Sequence, residues 1–437
     1  MGKKRIALFA LLLLAAALLF CGGRALARRQ AQARQIREAE ALTEAGDYET
    51  AAGRWRLLGE EEKAREAEQA ARERDFQNAK ACVGQGDYES ARRLLLPLRD
   101  EPGAEALLRD CDFLEAQALL AAGELPEARR AFLALGDAPG AAEALAETER
   151  RLYDRGWELA RAFRLEDAIA AWECLGEEKD CAALVERARR ELAASRAPES
   201  ERLLTEARRF RNALWYDTYD LGPAYLVVSE SLDENARFLF YYPGGYDGEI
   251  YIDYFYYYLM NPVPNCLALV LKQNGYYAIR EKNAEALELM LRAAAECGVF
   301  FDRPAVAGSS LGVYPAIDQI LYGAEHGLKS DCLISLDAGA EWQQPDVVPG
   351  PEDFRVLAEM GCPLYLFSGA WVGVETPAIR HMLEAGCTVA RFACENDEHD
   401  QITLDAMGNG VLHWLLGPRS SPCPVPGYTF EVLRLED

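Results

Sequence analysis

Histidine is scarce in this 437-residue chain, which has only four, and no His-Glu-x-x-His occurs. Twelve cysteines are spread along its length without a Cys-x-x-Cys, and none stands at zinc-ligand spacing with a histidine. The usual ligand sets for structural or catalytic zinc and for dithiol redox chemistry are therefore missing. The chain also lacks Gly-x-x-x-x-Gly-Lys, and it has no Gly-x-Gly-x-x-Gly after a strand pattern. Those are the common backbone cradles for nucleotide phosphates, so neither a metal nor a nucleotide cofactor is implied. Positive charge is short as well: 47 Lys and Arg stand against 71 Asp and Glu, a net charge of -24. A nucleic acid partner requires a basic face, so that class is excluded. The acidity reads as a soluble, self-repelling surface.

Apolar residues make up 50% of the chain, enough for the cores of two or three domains. Cys297, Cys332, Cys362 and Cys387 lie in apolar or helix-end settings and read as small buried residues rather than disulfide partners.

The chain opens with Lys3-Lys4-Arg5, then the apolar run Ile6 to Cys21, then Gly22-Gly23. This is the pattern of an uncleaved membrane anchor or of a secretory signal. Ala25-Leu26-Ala27 fits a small-x-small cleavage site, while Phe20 is too bulky for lipoprotein processing at Cys21. Either reading exports the remainder, giving a single-pass cell-membrane protein with its C-terminal part outside the cytoplasm, or a secreted one if the signal is cut. Arg24, Arg28, Arg29, Arg34 and Arg37 pull the other way, because basic residues tend to stay inside. Residues 1–30 form this segment.

Residues 31–198 carry Ala, Leu, Glu and Arg at helical spacing, with an internal repeat. Gly46-Asp47-Tyr48-Glu49-Thr50-Ala51 aligns with Gly86-Asp87-Tyr88-Glu89-Ser90-Ala91, then Gly123-Glu124-Leu125-Pro126-Glu127-Ala128, then Phe163-Arg164-Leu165-Glu166-Asp167-Ala168. Seven positions after each final Ala stands a leucine (Leu58, Leu98, Leu135, Leu175), and thirteen after it a small residue (Ala64, Ala104, Ala141, Cys181). A lone helical pair cannot bury its own apolar face, so such pairs stack into a solenoid. The segment resembles tetratricopeptide-type repeats, with a longer period and without their full signature. It is expected to bind a protein partner or to act as a spacer.

From residue 199 onward aromatic and β-branched residues rise, and strand patterns alternate with helical ones. Strands are predicted near Leu214–Leu221, Ala224–Leu232, Arg237–Tyr242, Cys266–Leu271, Pro304–Ala307, Cys332–Leu336, Pro363–Phe367 and Thr388–Phe392. A closing helix is predicted from about Gln401 to Leu416, then an extended tail Tyr428–Leu435. The first strands have no helices between them, so an antiparallel start leads into a parallel, doubly wound sheet.

One stretch of this part carries chemistry. Gly308-Ser309-Ser310-Leu311-Gly312 is a Gly-x-Ser-x-Gly between an apolar strand pattern and a helical one. A turn of this kind holds its serine in strained backbone, needs residues without bulk on either side, and lifts the hydroxyl to the carboxyl end of the strand. The pentapeptide and the order of elements resemble the nucleophile elbow of α/β-hydrolases, over roughly residues 205–418. The expected architecture is therefore an α/β-hydrolase-like doubly wound sheet in residues 199–437, behind an all-α solenoid and a transmembrane or signal segment.

The resemblance implies a serine hydrolase, with an esterase as the nearest subclass. Ser310 would be the nucleophile. His399, in the polar loop Cys394-Glu395-Asn396-Asp397-Glu398-His399-Asp400 after the last strand, stands where the family has its base. His326, His381 and His413 fall on or at the ends of helical patterns. The family's acid usually follows the strand at Pro363–Phe367, but Val372 occupies that place. Glu375 in the same loop and Asp337, at the end of the preceding strand, both remain candidates to orient the base. Tyr242-Pro243-Gly244-Gly245 follows the third strand, where the family builds its oxyanion turn, and the N–H groups of Gly245 and Leu311 are the expected donors. The aromatic helix pattern Ile250–Leu259 reads as core or as the wall of an acyl, aryl or sugar pocket. The substrate would be a small molecule with an ester-like carbonyl. A different class also fits: a non-catalytic scaffold whose hydrolase-like domain is a degenerate binding module, a reading that the valine at 372 favours.

Overall fold

The computed structural model describes residues 23–24, 26–176, 180–211, 217–244, 264–272, 280–337, 350–369, 376–394, 411–416 and 427–435. The apolar run Ile6–Cys21, the aromatic stretch Ile250–Leu259, and Gly245, Glu375 and His399 lie outside these residues. Among the described residues no helix is long and apolar enough to cross a membrane. By packing, the chain groups into two compact units, Met1–Glu149 and Arg150–Asp437.

The first unit is built of paired helices. They are α1 (26–44), α2 (Tyr48–Leu57), α3 (Glu61–Gln85), α4 (Tyr88–Leu95), α5 (Ala104–Ala122), α6 (Leu125–Leu135) and the start of α7 (Ala141–Arg161). The repeated Gly-Asp-Tyr motif makes the tight turns. Gly46, Gly86 and Gly123 take the left-handed conformation (φ +80°, +78° and +81°) that ends the helix before each turn. Asp47 and Asp87 then cap the next helix, accepting from the N–H groups of Thr50 and Ser90 at 3.3 and 3.1 Å. The repeated alanines Ala51, Ala91 and Ala128 are fully buried, as is Ala104 one helix on, because only a methyl lets neighbouring helices approach so closely. Arg129 and Glu149 tie α6 to α7 through a half-buried ion pair at 2.9 Å.

The second unit begins within α7 and includes the fourth repeat, α8 (Leu165–Glu173), followed by α9 (Cys181–Ser195). At the glycine position of this copy, Phe163 itself adopts φ +54°. The composition changes at 198, but packing joins these helices to the sheet. Trp172, with no exposed surface, stacks edge-on with Trp157 at 5.5 Å, and Phe300 lies 5.9 Å from Trp157 on the approach to the central strands. Gly156 is required there, since a Cβ on it would stand 2.2 Å from the Trp172 indole nitrogen.

Beside that cluster Glu191 is wholly buried and accepts from the Phe301 N–H at 3.2 Å. Burial raises its carboxyl pKa well above 4.5, outweighing the nearby Arg187 cation. A carboxyl with a raised folded pKa stabilises the fold fully below its unfolded pKa, and that contribution is lost as pH climbs through the folded value. The thermal midpoint is therefore expected to fall as pH rises from 5 to 8. Glu191→Gln, which keeps the acceptor for Phe301, should flatten that slope. An unchanged slope in thermal melts of the variant would assign it to other groups.

The sheet has ten described strands, in the order β1-β2-β3-β5-β4-β6-β7-β8-β9-β10. They are β1 (Arg208–Arg211), β2 (Asp217–Asp220), β3 (Ala224–Val228), β4 (Arg237–Tyr242), β5 (Cys266–Leu271), β6 (Ala305–Ser309), β7 (Cys332–Leu336), β8 (Leu364–Gly369), β9 (Val389–Cys394) and β10 (Thr429–Val432). Strands β1 to β3 are antiparallel, β4 to β9 run parallel, and β10 returns antiparallel on the outer edge. This mixed α/β plan is consistent with an α/β-hydrolase. The expected strands are present within a few residues, and β1 is an addition. Its sequence, Arg-Arg-Phe-Arg, has no apolar alternation to announce a strand.

Alternate residues of each parallel strand feed two cores. Leu226, Phe240, Leu269, Val306, Leu333 and Leu364 face one side, where they meet α10 (Arg280–Glu296), α11 (Val313–Glu325), α12 (Pro351–Glu359) and α13 (Pro377–Glu384). Tyr241, Ala268, Ala307, Ile334, Phe367 and Phe392 face the other, against α14 (Val411–Leu416). Cys332, Cys362 and Cys387 are buried and Cys297 partly so, and no disulfide joins the described cysteines.

Candidate active site

The chain passes from β4 to β5 on one side of β4 and then to β6 on the other. The order in which strands are added reverses there, though all three run parallel, and the carboxyl ends of β4 and β6 border the crevice in which open α/β sheets commonly place their ligands. Ser310 leaves the end of β6, whose five residues are all buried, and a single 3-10 turn (Ser310–Gly312) leads into α11. The expected strand, sharp turn and helix are what the chain forms.

Ser310 has φ +50°, in the left-handed region that a side chain with a Cβ seldom occupies. Such backbone costs about 1–3 kcal/mol and persists only where its surroundings dictate it. Here two glycines do so. A Cβ on Gly308 would stand 2.4 Å from the Gly312 carbonyl oxygen, so the strand end and the turn touch backbone to backbone. A Cβ on Gly312 would stand 2.2 Å from the Tyr242 carbonyl oxygen and 2.5 Å from that of Pro243. Gly312 thus sits directly against the start of the Pro243-Gly244 turn, and both flanks of the pentapeptide are fixed by contact. Ser310 and Leu311 are partly exposed among buried neighbours.

Asp337 follows β7, the neighbour of β6, and Ser309 pairs with Leu336 across the two strands. Asp337 is 1% exposed, its N–H donates to the Phe367 carbonyl at 2.8 Å, and its φ is +51°. A second strained non-glycine residue therefore stands at the carboxyl edge, one strand from Ser310. Gly369 and Cys394, the last residues of β8 and β9, are register partners, and Glu375 and His399 follow them in the chain, outside the described residues. Gly245 follows Gly244 and is likewise outside them.

The other histidines occupy helices. His326 caps the far end of α11, whose 13 residues span about 20 Å away from Ser310. It stacks on Tyr322 and meets that residue's carbonyl oxygen at 2.8 Å. His381 lies on α13, and His413 on α14. Among the described residues no cluster of His, Cys, Asp and Glu could hold a metal ion.

Some residues about the site gave no signal in the sequence. Tyr241 and Ser309 meet by their hydroxyl oxygens at 3.0 Å, both buried. The Tyr242 phenol donates toward Gln319 Oε1 at 2.7 Å and lies 3.2 Å from Asn283 Oδ1. Burial pushes the Tyr242 phenol well above its usual pKa, so it stays neutral.

No protein-family model matches the chain, so the tetratricopeptide resemblance gains nothing from that comparison. No curated protein matches it either. Among solved structures it is similar to a hormone-sensitive lipase from a metagenome library, at 14% identity over 57% of this chain and 97% of that one, with a TM-score of 0.29. A hypothetical protein from Pseudomonas aeruginosa is similar at 11% identity over 48% of this chain and 96% of that one, TM-score 0.27. An epoxide hydrolase of the α/β-hydrolase superfamily from hot-environment metagenomes follows at 15% identity, covering 53% and 78%, TM-score 0.19.

Proposed function

We propose that the second unit is a serine hydrolase acting on an ester-like carbonyl. The observation that carries this reading is the backbone of Ser310: a strained φ of +50° at the end of a central parallel strand, flanked by two glycines on which a Cβ would collide with backbone. Ser310 Oγ attacks the carbonyl carbon as His399 accepts its proton. The oxyanion is met by the N–H groups of Gly245 and Leu311. His399 returns the proton to the leaving oxygen, and water then repeats the cycle on the acyl-serine with release of the acid. Glu375 or Asp337 orients His399. The competing binding-module reading rests on Val372, but buried Asp337 offers a carboxylate at the strand end that some members of the resembling family use. The run Ile6–Cys21 would tether the enzyme, with the catalytic part outside the cytoplasm. The helical pairs would bind a protein or serve as a spacer.

The test is covalent labelling of the full chain with a fluorophosphonate, beside Ser310→Ala and His399→Ala. Labelling should vanish in the serine variant and fall at least about a thousandfold in rate in the histidine variant. An unlabelled but folded wild type would leave the binding module standing.

A further inference from the structure

Backbone pairing between β4 and β6 ends at Tyr242 and Gly308. The two segments that the proposed chemistry needs in register, the turn at Pro243-Gly244 and the elbow at Ser310, both begin just beyond that last pair. A hydrolase of this design requires its oxyanion donors within a few tenths of an ångström of their working place, and the ladder alone no longer fixes them there. Beside the close backbone approach of Gly312 to Tyr242 and Pro243, two side-chain contacts join this end of the strand pair, one on each face of the sheet.

On one face the Tyr241 hydroxyl meets Ser309 Oγ, the atom group directly before the nucleophile, at 3.0 Å. On the other face the Tyr242 phenol reaches Gln319 of α11, the helix that leaves the elbow, at 2.7 Å and Asn283 of α10 at 3.2 Å. Tyr241, Tyr242, Ser309, Gln319 and Asn283 are all at least 96% buried, with exposures of 0, 4, 2, 2 and 2%. A phenol carries one proton, so Tyr242 donates to the nearer amide oxygen, Gln319 Oε1, with Asn283 Oδ1 beside it at 3.2 Å. These polar groups lie in apolar surroundings, where an aliphatic side chain would have filled the space at less cost. Their common feature is geometric: the Tyr241 hydroxyl joins the end of β4 to the residue before Ser310, and the Tyr242 phenol joins it to α11, the helix that follows the elbow.

We infer that Tyr241 and Tyr242 are positioning residues, a two-sided clamp that sets the oxyanion turn against the nucleophile elbow. The inference rests on the serine hydrolase reading. Neither tyrosine touches substrate. Removing either hydroxyl lets the turn and the elbow relax relative to one another, which affects the transition state more than substrate binding.

The experiment uses the full chain with a p-nitrophenyl ester and a fluorophosphonate, comparing wild type with Tyr241→Phe, Ser309→Ala, their double variant, and Tyr242→Phe. Rates are read well below each variant's melting midpoint. The clamp predicts that each single variant loses about ten- to a hundredfold in kcat while KM stays within about twofold. Because Tyr241 and Ser309 form one contact, their double variant should lose no more than the worse single one. The Ser309→Ala route keeps the test open if Tyr241→Phe fails to fold. Wild-type labelling at Ser310 with unchanged kcat in all variants would overturn the clamp and leave the hydrolase in place. Independent, multiplying losses in the double variant would also overturn it, by showing general destabilisation. A folded wild type without labelling or turnover would remove the hydrolase reading and the clamp together.

Discussion

Gly312→Ala is expected to abolish most of the activity while leaving the chain folded. The added methyl would stand 2.2 Å from the Tyr242 carbonyl oxygen, 2.5 Å from the Pro243 carbonyl oxygen and 2.8 Å from the Tyr242 carbonyl carbon. All three are backbone atoms, so no side-chain rotation relieves the contact. Either the elbow or the turn after β4 must move by roughly an ångström, at a cost of about 1–3 kcal/mol in stability. A shift of that size between the proposed nucleophile and its proposed oxyanion donors costs on the order of a hundredfold in rate. Gly323→Ala on the same helix is the control. There the three atoms nearest the methyl all belong to the Leu328 side chain, at 3.4, 3.6 and 3.8 Å, and alanine in place of a helical glycine contributes up to about 1 kcal/mol of stability. Steady-state kinetics and thermal melts of the two variants give the comparison. Equal activities would mean that the glycines of the pentapeptide do not define the site.

The second large effect concerns where the unit that holds the sheet begins. A fragment starting at residue 200, the boundary suggested by composition, should aggregate or melt far below a fragment starting at Ala141, the first residue of α7. The shorter fragment loses α7, α8 and α9. With them go Trp172, Leu184 and Ala188, all within 1% of full burial, and the cover over Phe300 and Phe301. Each large apolar side chain returned to water costs about 1.5–3 kcal/mol, and stabilities of whole domains are only about 5–15 kcal/mol. Phe301 also packs edge-on against Phe238 and Phe240 of β4, at 5.1 and 6.0 Å, so the damage reaches the strand that leads into the Pro243-Gly244 turn. Expression of both fragments, followed by thermal melts and fluorophosphonate labelling, decides the matter. Matching midpoints and labelling would show that the fourth helical pair is dispensable.

Much of this protein was legible before any coordinates because the relevant information is local. Gly-Asp-Tyr at a repeated spacing encodes a left-handed turn followed by a helix cap, and those are the conformations that Gly46-Asp47 and Gly86-Asp87 adopt. Parallel strands buried on both faces read as continuous apolar runs, so β4, β5 and β7 were placed to the residue. The pentapeptide at Ser310 combines residue types that tolerate strain and crowding, which is a statement about backbone and needs no partner. β1 has no apolar alternation to mark it, and what makes it a strand is its ladder with β2 and the Arg209–Asp217 ion pair across the two.

The amino-acid sequence by itself thus determined the helical pairs, the parallel sheet and the strained serine turn, since each follows from periodicity or from the φ that a residue type allows. Only the tertiary structure decided that Gly312 lies against the end of β4, that Asp337 is buried one strand from Ser310, that the Tyr241 and Tyr242 hydroxyls meet Ser309 and α11, and that the fourth helical pair packs with the sheet. These joins link residues tens of positions apart. Contact at that separation depends on how twisted strands and helices fill a shared core, and nothing in the local run of side chains records it.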